Sequence, residues 1–249
     1  MFRNLLVFIC LLTIGCATSS GPENKKRSAL HTQIGTSLLT NGKFPEALGE
    51  LLKAVELDPE NAIAHNNIAL IYLFRERHAL AESHLQSAIR LQPSYTEAKN
   101  NLGRVYIESN KFDNAIKILK EATADLTYTE PQKTYGNLGL AYFKKGEFPK
   151  ALEAVEKSLQ FDRNRCMSLN LYGRVLYGLK NYQSASASFD QAIDKCQEKG
   201  FAEPHYYSAM SYLRAGRTDL ARSRFEDVVK LFPTSSYGKK AVVALNRIK

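Results

Sequence analysis

The sequence predicts an all-α protein built as a row of stacked helix pairs. Three observations carry this: a 34-residue period in the placement of small and bulky apolar residues, a composition rich in Ala, Leu, Lys and Glu, and little of the punctuation that strands need. Among 249 residues there are 14 Gly, 8 Pro and no Trp. Gly recurs where a helix pair would approach closely or turn, which is not how a β-sandwich or barrel reads. At 44% hydrophobic the chain can bury a sizeable core.

The first element is an address. Arg3 supplies one positive charge ahead of an apolar run from Leu5 to Thr13, too short to span a bilayer, so residues 1–15 read as a secretory signal peptide. The run closes on Leu12, Thr13, Ile14, Gly15 and Cys16, which resembles a bacterial lipobox, with Gly15 as the small residue before the cut and Thr13 in place of the commoner Leu. Lipidation is expected at Cys16. The alternative is an ordinary cleaved signal with an incidental cysteine, and Cys10 lacks a small residue before it. Each buried methylene contributes about 0.8 kcal/mol, so several acyl chains on one cysteine would make a permanent membrane anchor. Ala17 follows where an Asp would retain the chain at the inner membrane, so the resemblance implies the periplasmic face of the outer membrane. Residues 16–27 are small, polar and basic and are expected to be a flexible tether.

The repeats follow in order. Ile34, Gly35, Leu38, Ala47, Leu51, Ala54 and Pro59 recur with the same spacing as Ile68, Ala69, Tyr72, Ala81, Leu85, Ala88 and Pro93. They recur again as Leu102, Gly103, Tyr106, Ala115, Leu119 and Ala122. After a two-residue insertion around 125–131 the pattern resumes with Leu138, Gly139, Tyr142, Ala151, Val155 and Ser158. A fifth copy holds Tyr172, Gly173, Leu176, Ala185, Phe189 and Ala192, and a sixth holds Ser208, Ala209, Tyr212, Ala221, Phe225, Val228 and Pro233. Two antiparallel helices approach closely only where Gly or Ala faces a neighbour, and Leu, Tyr or Phe fills the space alongside. The frame is 28–61, 62–95, 96–131, 132–165, 166–201 and 202–234, with 235–249 as a capping helix whose Lys239, Lys240, Arg247 and Lys249 supply a polar outer surface.

These spacings resemble the tetratricopeptide repeat (TPR) over nearly all of the chain after the signal. The resemblance implies a right-handed TPR superhelix, an α-solenoid of six helix-turn-helix repeats, whose concave face is lined by positions 2, 5, 6, 9, 12 and 13 of each first helix. Asn67, Asn101 and Asn137 fall at position 6, where an amide can both donate to and accept from an extended peptide backbone, or simply sit in the packing. Leu70, Phe74, Leu140 and Phe143 give an apolar stripe of the kind that marks a protein partner. Arg104, Arg174 and Tyr177 add planar donors and an aromatic anchor, with solvated arginines as the plainer alternative. The paired lysines of a carboxylate clamp are missing, so an internal or helical segment of a partner is expected rather than a free C-terminus.

Cys166 opens the first helix of repeat five and Cys196 closes the second, so antiparallel packing brings both to one end of the pair. They could form a disulfide in an oxidising compartment or stand as two thiols. The five histidines show no metal-ligand spacing, and Ser236 to Lys239 matches a bare Ser-x-x-Lys string without its companion motifs. No phosphate-binding loop or HExxH is present, so no enzymatic activity, cofactor, metal or small-molecule substrate is expected. The net charge of +9 is spread over many repeats and the export signal separates the chain from nucleic acid, which is not expected as a partner.

Beyond the repeat, the chain resembles the TPR lipoproteins of type IV pilus biogenesis, the pilotins, through Asn100 to Gly103, the lengthened connection 125–131, Asn137 to Leu140, Glu156 to Leu159 and Asp162 to Asn164. That resemblance implies a lipid-anchored scaffold binding an outer-membrane secretin subunit and promoting its localisation and multimerisation. The alternative is a general periplasmic adaptor docking peptidoglycan hydrolases or other envelope complexes.

Overall fold

A computed structural model describes residues 21–196 and 201–248. The signal segment 1–15 and the lipidation candidate Cys16 lie outside the described residues. Within them there are thirteen helices and no strand. None of these helices is long and apolar enough to cross a membrane. In chain order they are α1 (Pro22–Thr40), α2 (Phe44–Leu57), α3 (Ala62–Phe74), α4 (His78–Leu91), α5 (Thr96–Glu108), α6 (Phe112–Thr123), α7 (Pro131–Lys145), α8 (Phe148–Phe161), α9 (Cys166–Gly178), α10 (Tyr182–Lys195), α11 (Ala202–Arg214), α12 (Thr218–Leu231) and α13 (Ser236–Leu245). The chain divides into two compact units, one ending at Ala64 and one beginning at His65.

In the first unit α1 and α2 form the first helix pair. Its interior is partly polar: Ser28 Oγ donates to the Ala54 carbonyl at 2.7 Å, and Asn61 Nδ2 donates to Ser28 Oγ and Thr32 Oγ1, each at 2.9 Å. On its flank His31 Nδ1 meets Glu50 Oε2 at 2.6 Å. Helix α1 begins at Pro22, so residues 22–27, expected as the end of a flexible tether, are helical instead. The sequence carries the reason. Pro22 occupies the first turn, where its missing N–H costs nothing, and Glu23 places an acid at the positive end of the helix. Lys25 Nζ then reaches Glu60 at 3.4 Å, tying that turn to the far end of the pair.

In the second unit the 34-residue period becomes a packing rule. A Cβ on Gly103 would stand 2.5 Å from the Leu119 side chain, and one on Gly173 would stand 2.7 Å from the Phe189 ring. The last pair keeps a methyl instead, with Ala209 and Phe225 both fully buried in its core cluster.

The turns repeat as strictly as the cores. Gly42, Glu76, Asn110, Gly146, Lys180 and Gly216 all have positive φ, between 57° and 84°, each at the turn between the two helices of a repeat. The residue after each one donates its N–H back to the periodic Leu or Tyr: Lys43 to Leu38, Arg77 to Tyr72, Lys111 to Tyr106, Glu147 to Tyr142, Asn181 to Leu176 and Arg217 to Tyr212, at 2.8–2.9 Å. This six-to-one bond with a left-handed residue inside it closes a helix by satisfying a carbonyl that would otherwise have no partner. Three of the six positions are not Gly, so the turn geometry, not glycine alone, sets the conformation.

The lengthened connection between α6 and α7 is ordered by its own acid. Asp125 accepts from Thr127 N at 2.9 Å, Thr127 Oγ1 at 2.6 Å and Thr96 Oγ1 at 2.5 Å. These bonds, first those from the Thr127 and Thr96 hydroxyls, hold its carboxyl below the usual aspartate value. Two residues of this connection, Tyr128 and Glu130, are thereby placed in the cavity described next.

Candidate functional site

A concave cavity of about 590 Å³ runs across the first helices of successive repeats in the second unit. From α3 it takes Leu70, and from α5 Glu97, Asn100, Asn101 and Arg104. From α7 it takes Lys133, Gly136, Asn137, Leu140 and Lys144. From α9 come Met167, Ser168, Asn170, Leu171 and Arg174, with Arg165 just before that helix, and from α11 comes Glu203.

Of the groove residues expected from sequence, Leu70, Asn101, Arg104, Asn137, Leu140 and Arg174 line this cavity. Asn67, Phe74, Phe143 and Tyr177 lie off it. Phe74 is 67% exposed. Phe143 packs on Phe148 with ring centroids 5.7 Å apart and carries the Arg174 guanidinium 4.5 Å above its face. Tyr177 meets Tyr182 and Tyr207 edge-on, at 5.3 and 5.7 Å.

The asparagines form a ladder between repeats. Asn66 Nδ2 donates to Asn67 Oδ1 at 3.1 Å, Asn101 Nδ2 to Asn66 Oδ1 at 3.0 Å and Asn137 Nδ2 to Asn100 Oδ1 at 2.9 Å. One amide hydrogen on each of Asn101 and Asn137 is therefore spent inside the array, and Asn67 and Asn101 are buried. The ladder continues one repeat on with a change of partner: Asn170 Nδ2 donates to Glu203 Oε2 at 2.7 Å. That bond fixes the amide so that its Oδ1 faces away from the carboxylate. Asn170 Oδ1 is buried and has no hydrogen-bond partner, and the same holds for Tyr128 Oη in the same cavity. A buried acceptor without a donor costs roughly 1–3 kcal/mol, and an N–H from a bound backbone would recover it.

Glu203 gathers three donors. Besides Asn170, it accepts from Tyr237 Oη at 3.0 Å and pairs with Arg174 Nη1 at 3.5 Å. Arg174 is therefore held between Phe143 and Glu203 rather than free in solvent. Burial, followed by the Glu203 charge, pushes the Tyr237 hydroxyl up to about 12. Burial, with Glu130 and Glu97 nearby, does the same to Tyr128, so both remain protonated donors at neutral pH. In the same cavity Lys133 pairs with Glu130 at 2.5 Å. With those two pairs neutralised, Arg104, Lys144 and Arg165 stand against Glu97 alone, and the cavity is net cationic.

Sequence reasoning did not single out Glu203, Asn170, Lys133, Met167 or Tyr128. The signal was present for the first four: counted in the same frame, they stand at positions 2 or 5 of their helices. Tyr128 lies in the inserted connection, outside any repeat position, and only the tertiary fold assigns it to this cavity.

At the edge of repeat five Cys166 and Cys196 are joined as a disulfide with Cα atoms 5.5 Å apart. Leu169 and Ala192 are buried beside it, with Leu159 and Phe201 packed against them. In α3 and α4, His65 Nδ1 and His84 Nδ1 approach to 2.9 Å with Tyr72 alongside, one ring nitrogen donating its N–H to the other. Among the described residues no group of three or more His, Cys, Asp or Glu is placed to hold a metal ion.

Helix pairs with a fixed small-for-large exchange, left-handed turns in register and a concave amide-lined face define a repeat scaffold that offers a groove to other chains. Tetratricopeptide-repeat models match residues 32–96, 75–127, 133–165 and 205–235, together more than half of the sequence, and the chain belongs to the tetratricopeptide-repeat proteins. Among curated proteins it is 28% identical over 197 residues to the type IV pilus assembly protein PilF of Pseudomonas aeruginosa, covering 76% of this chain and 78% of that one. The solved structure of Pseudomonas aeruginosa PilF superimposes with a TM-score of 0.77 at 24% identity, over 89% of this chain and 99% of that one. The structure of PilW, a type IV pilus biogenesis factor, does so with a TM-score of 0.80 at 20% identity, over 86% and 98%.

Proposed function

We propose that this chain is a lipid-anchored scaffold of type IV pilus biogenesis that grips an outer-membrane secretin subunit in the groove of repeats two to five. Acylation at Cys16 would hold it on the periplasmic face of the outer membrane. The observation that carries the reading is the 28% identity over 197 residues with a type IV pilus assembly protein, spanning most of both chains. The cavity supports it with a peptide-sized, net cationic groove that presents a buried acceptor at Asn170 and a protonated donor at Tyr128. No step of chemistry is asked of the chain. Binding fixes a client, and the anchor raises its effective concentration at the membrane, which favours ring assembly by mass action.

The test is a pull-down from envelope extracts with wild-type, Cys16→Ala and Arg104→Glu proteins, read alongside secretin multimers in cells carrying each variant. The expected result is secretin recovered with wild type and with Cys16→Ala, lost with Arg104→Glu, and multimers reduced in both variants. Recovery of no secretin by the wild type, with multimers unchanged when the chain is deleted, would overturn the proposal.

A further inference from the structure

Helices α11 and α13 enclose a second concavity, about 650 Å³, that shares no lining residue with the groove of repeats two to five. Its floor is Tyr206, Met210 and Leu213 from α11 with Val243 and Ala244 from α13, and Ile248 closes one end. The three α11 side chains are part-buried and Val243 is 50% exposed, so this apolar surface is open to solvent. The floor is also fixed in place. Ile248 packs with Ala209, Phe225 and Ala241 beneath it, and Arg222 Nη2 donates to the Ile248 carbonyl at 3.2 Å.

The rim carries charge of one sign. Lys239 and Lys240 stand where the first turn of α13 passes into the second and Arg247 lies just past its last turn, and no Asp or Glu lines the pocket. None of the three makes an ion pair among the described residues, whereas Arg224 on the neighbouring α12 is matched by Asp190 and Asp227. Lys240 rests its ammonium 5.1 Å over the Tyr237 ring and still presents charge at the rim. Lys239 and Arg247 are eight residues apart, roughly 12 Å along a helix at 1.5 Å per residue. Cations therefore bracket the apolar floor at both ends.

We infer that this pocket docks an acidic amphipathic segment of a protein partner, one that places two or three large apolar side chains on the floor and carboxylates at both ends. Acids seven or eight apart on a helix, or three or four apart on an extended strand, span the 12 Å between the cations, roughly as required. A lipid offers a phosphate at one end of its acyl chains only and leaves the other cationic end unmatched. The pocket is also of the size that encloses a few side chains rather than a flat membrane face. The inference stands apart from the secretin reading, because the two sites have no residue in common.

The experiment is fluorescence anisotropy on the full chain with two labelled nonapeptides. Both have a Leu- and Phe-rich centre, one with two Asp at each end and the other with two Lys. The Asp-ended peptide is expected to bind, and the Lys-ended one to bind about tenfold more weakly, as several partly exposed ion pairs would give. The triple variant Lys239→Glu, Lys240→Glu, Arg247→Glu should invert that preference, and Val243→Asp should weaken the Asp-ended peptide. Arg104→Glu in the other groove should change neither. All of the pocket substitutions are at exposed positions, and unchanged circular dichroism and melting confirm that each variant is folded. Absence of binding, equal binding of the two peptides, or loss with Arg104→Glu in place of the triple variant would overturn the inference. So would charge-dependent binding of phosphatidylglycerol vesicles at this rim without binding of the Asp-ended peptide, which would assign the pocket to lipid.

Discussion

At the scale of single residues, each glycine of the repeat is an absence with a shape. The Cβ that Gly173 lacks would fall 2.7 Å from the fully buried Phe189 ring, whose neighbours leave it nowhere to go. Gly173→Ala is expected to cost about 1–3 kcal/mol, the usual penalty for overfilling a packed core, read as a lower denaturant midpoint with an unchanged slope. An unchanged midpoint would mean that the helix pair can open without cost. The His65–His84 pair makes a second residue-scale prediction. Burial, and then the charge of His65 opposite, holds His84 below the usual histidine value, so it stays neutral in the folded chain where a free histidine would charge. The unfolded chain then takes up the proton first. This contribution to stability is complete above the unfolded pKa, about 6.5, and is lost as the pH falls from there through the folded value. Melting at pH 7 and pH 5 should show a larger acid-induced drop for wild type than for His84→Gln, and equal drops would refute it.

At the scale of elements, repeat five differs from its neighbours in being tied at the end of its two helices. Cys166 and Cys196 are 30 residues apart in sequence, and closing a loop of that length restricts the unfolded chain by roughly 3 to 4 kcal/mol in the chain-entropy model. Cys166→Ser with Cys196→Ser, or reduction of the native chain, should lower the melting temperature. Wild type under reductant should match the double variant, and an oxidised chain no more stable than the variant would refute the contribution. The tie also bears on the groove. Helix α9 supplies Asn170 and Arg174, so the bond anchors the start of the helix that carries the orphan acceptor. The inserted connection before α7 acts in the same direction. Its Asp125 bonds order a segment that would otherwise be loose, and that order puts Tyr128 against the cavity.

At the scale of the molecule, the period made the architecture legible. The recurring Gly or Ala, the bulky residue sixteen places on and the Leu or Tyr between them name each helix pair and the order of the pairs, because close approach favours small residues facing large ones there. The same frame named positions 6 and 9 of the first helices, seven of whose residues line the cavity. It did not show that helix begins at Pro22, where first-turn chemistry and a Lys25–Glu60 contact outweigh the polar composition. Nor did it show the left-handed residue in every intra-repeat turn, since Glu76 and Lys180 carry no sequence mark of that conformation. The sequence by itself determined the number of helix pairs, their register and which face of each first helix turns inward, because these follow from a steric rule repeated along the chain. Only the tertiary structure decided how the polar groups are shared: that one amide of each ladder rung is spent on its neighbour, that Glu203 gathers Asn170, Arg174 and Tyr237, and that Asn170 Oδ1 is buried without a donor. Hydrogen bonds between residues more than thirty places apart depend on the distance and angle between stacked repeats, which no single repeat encodes.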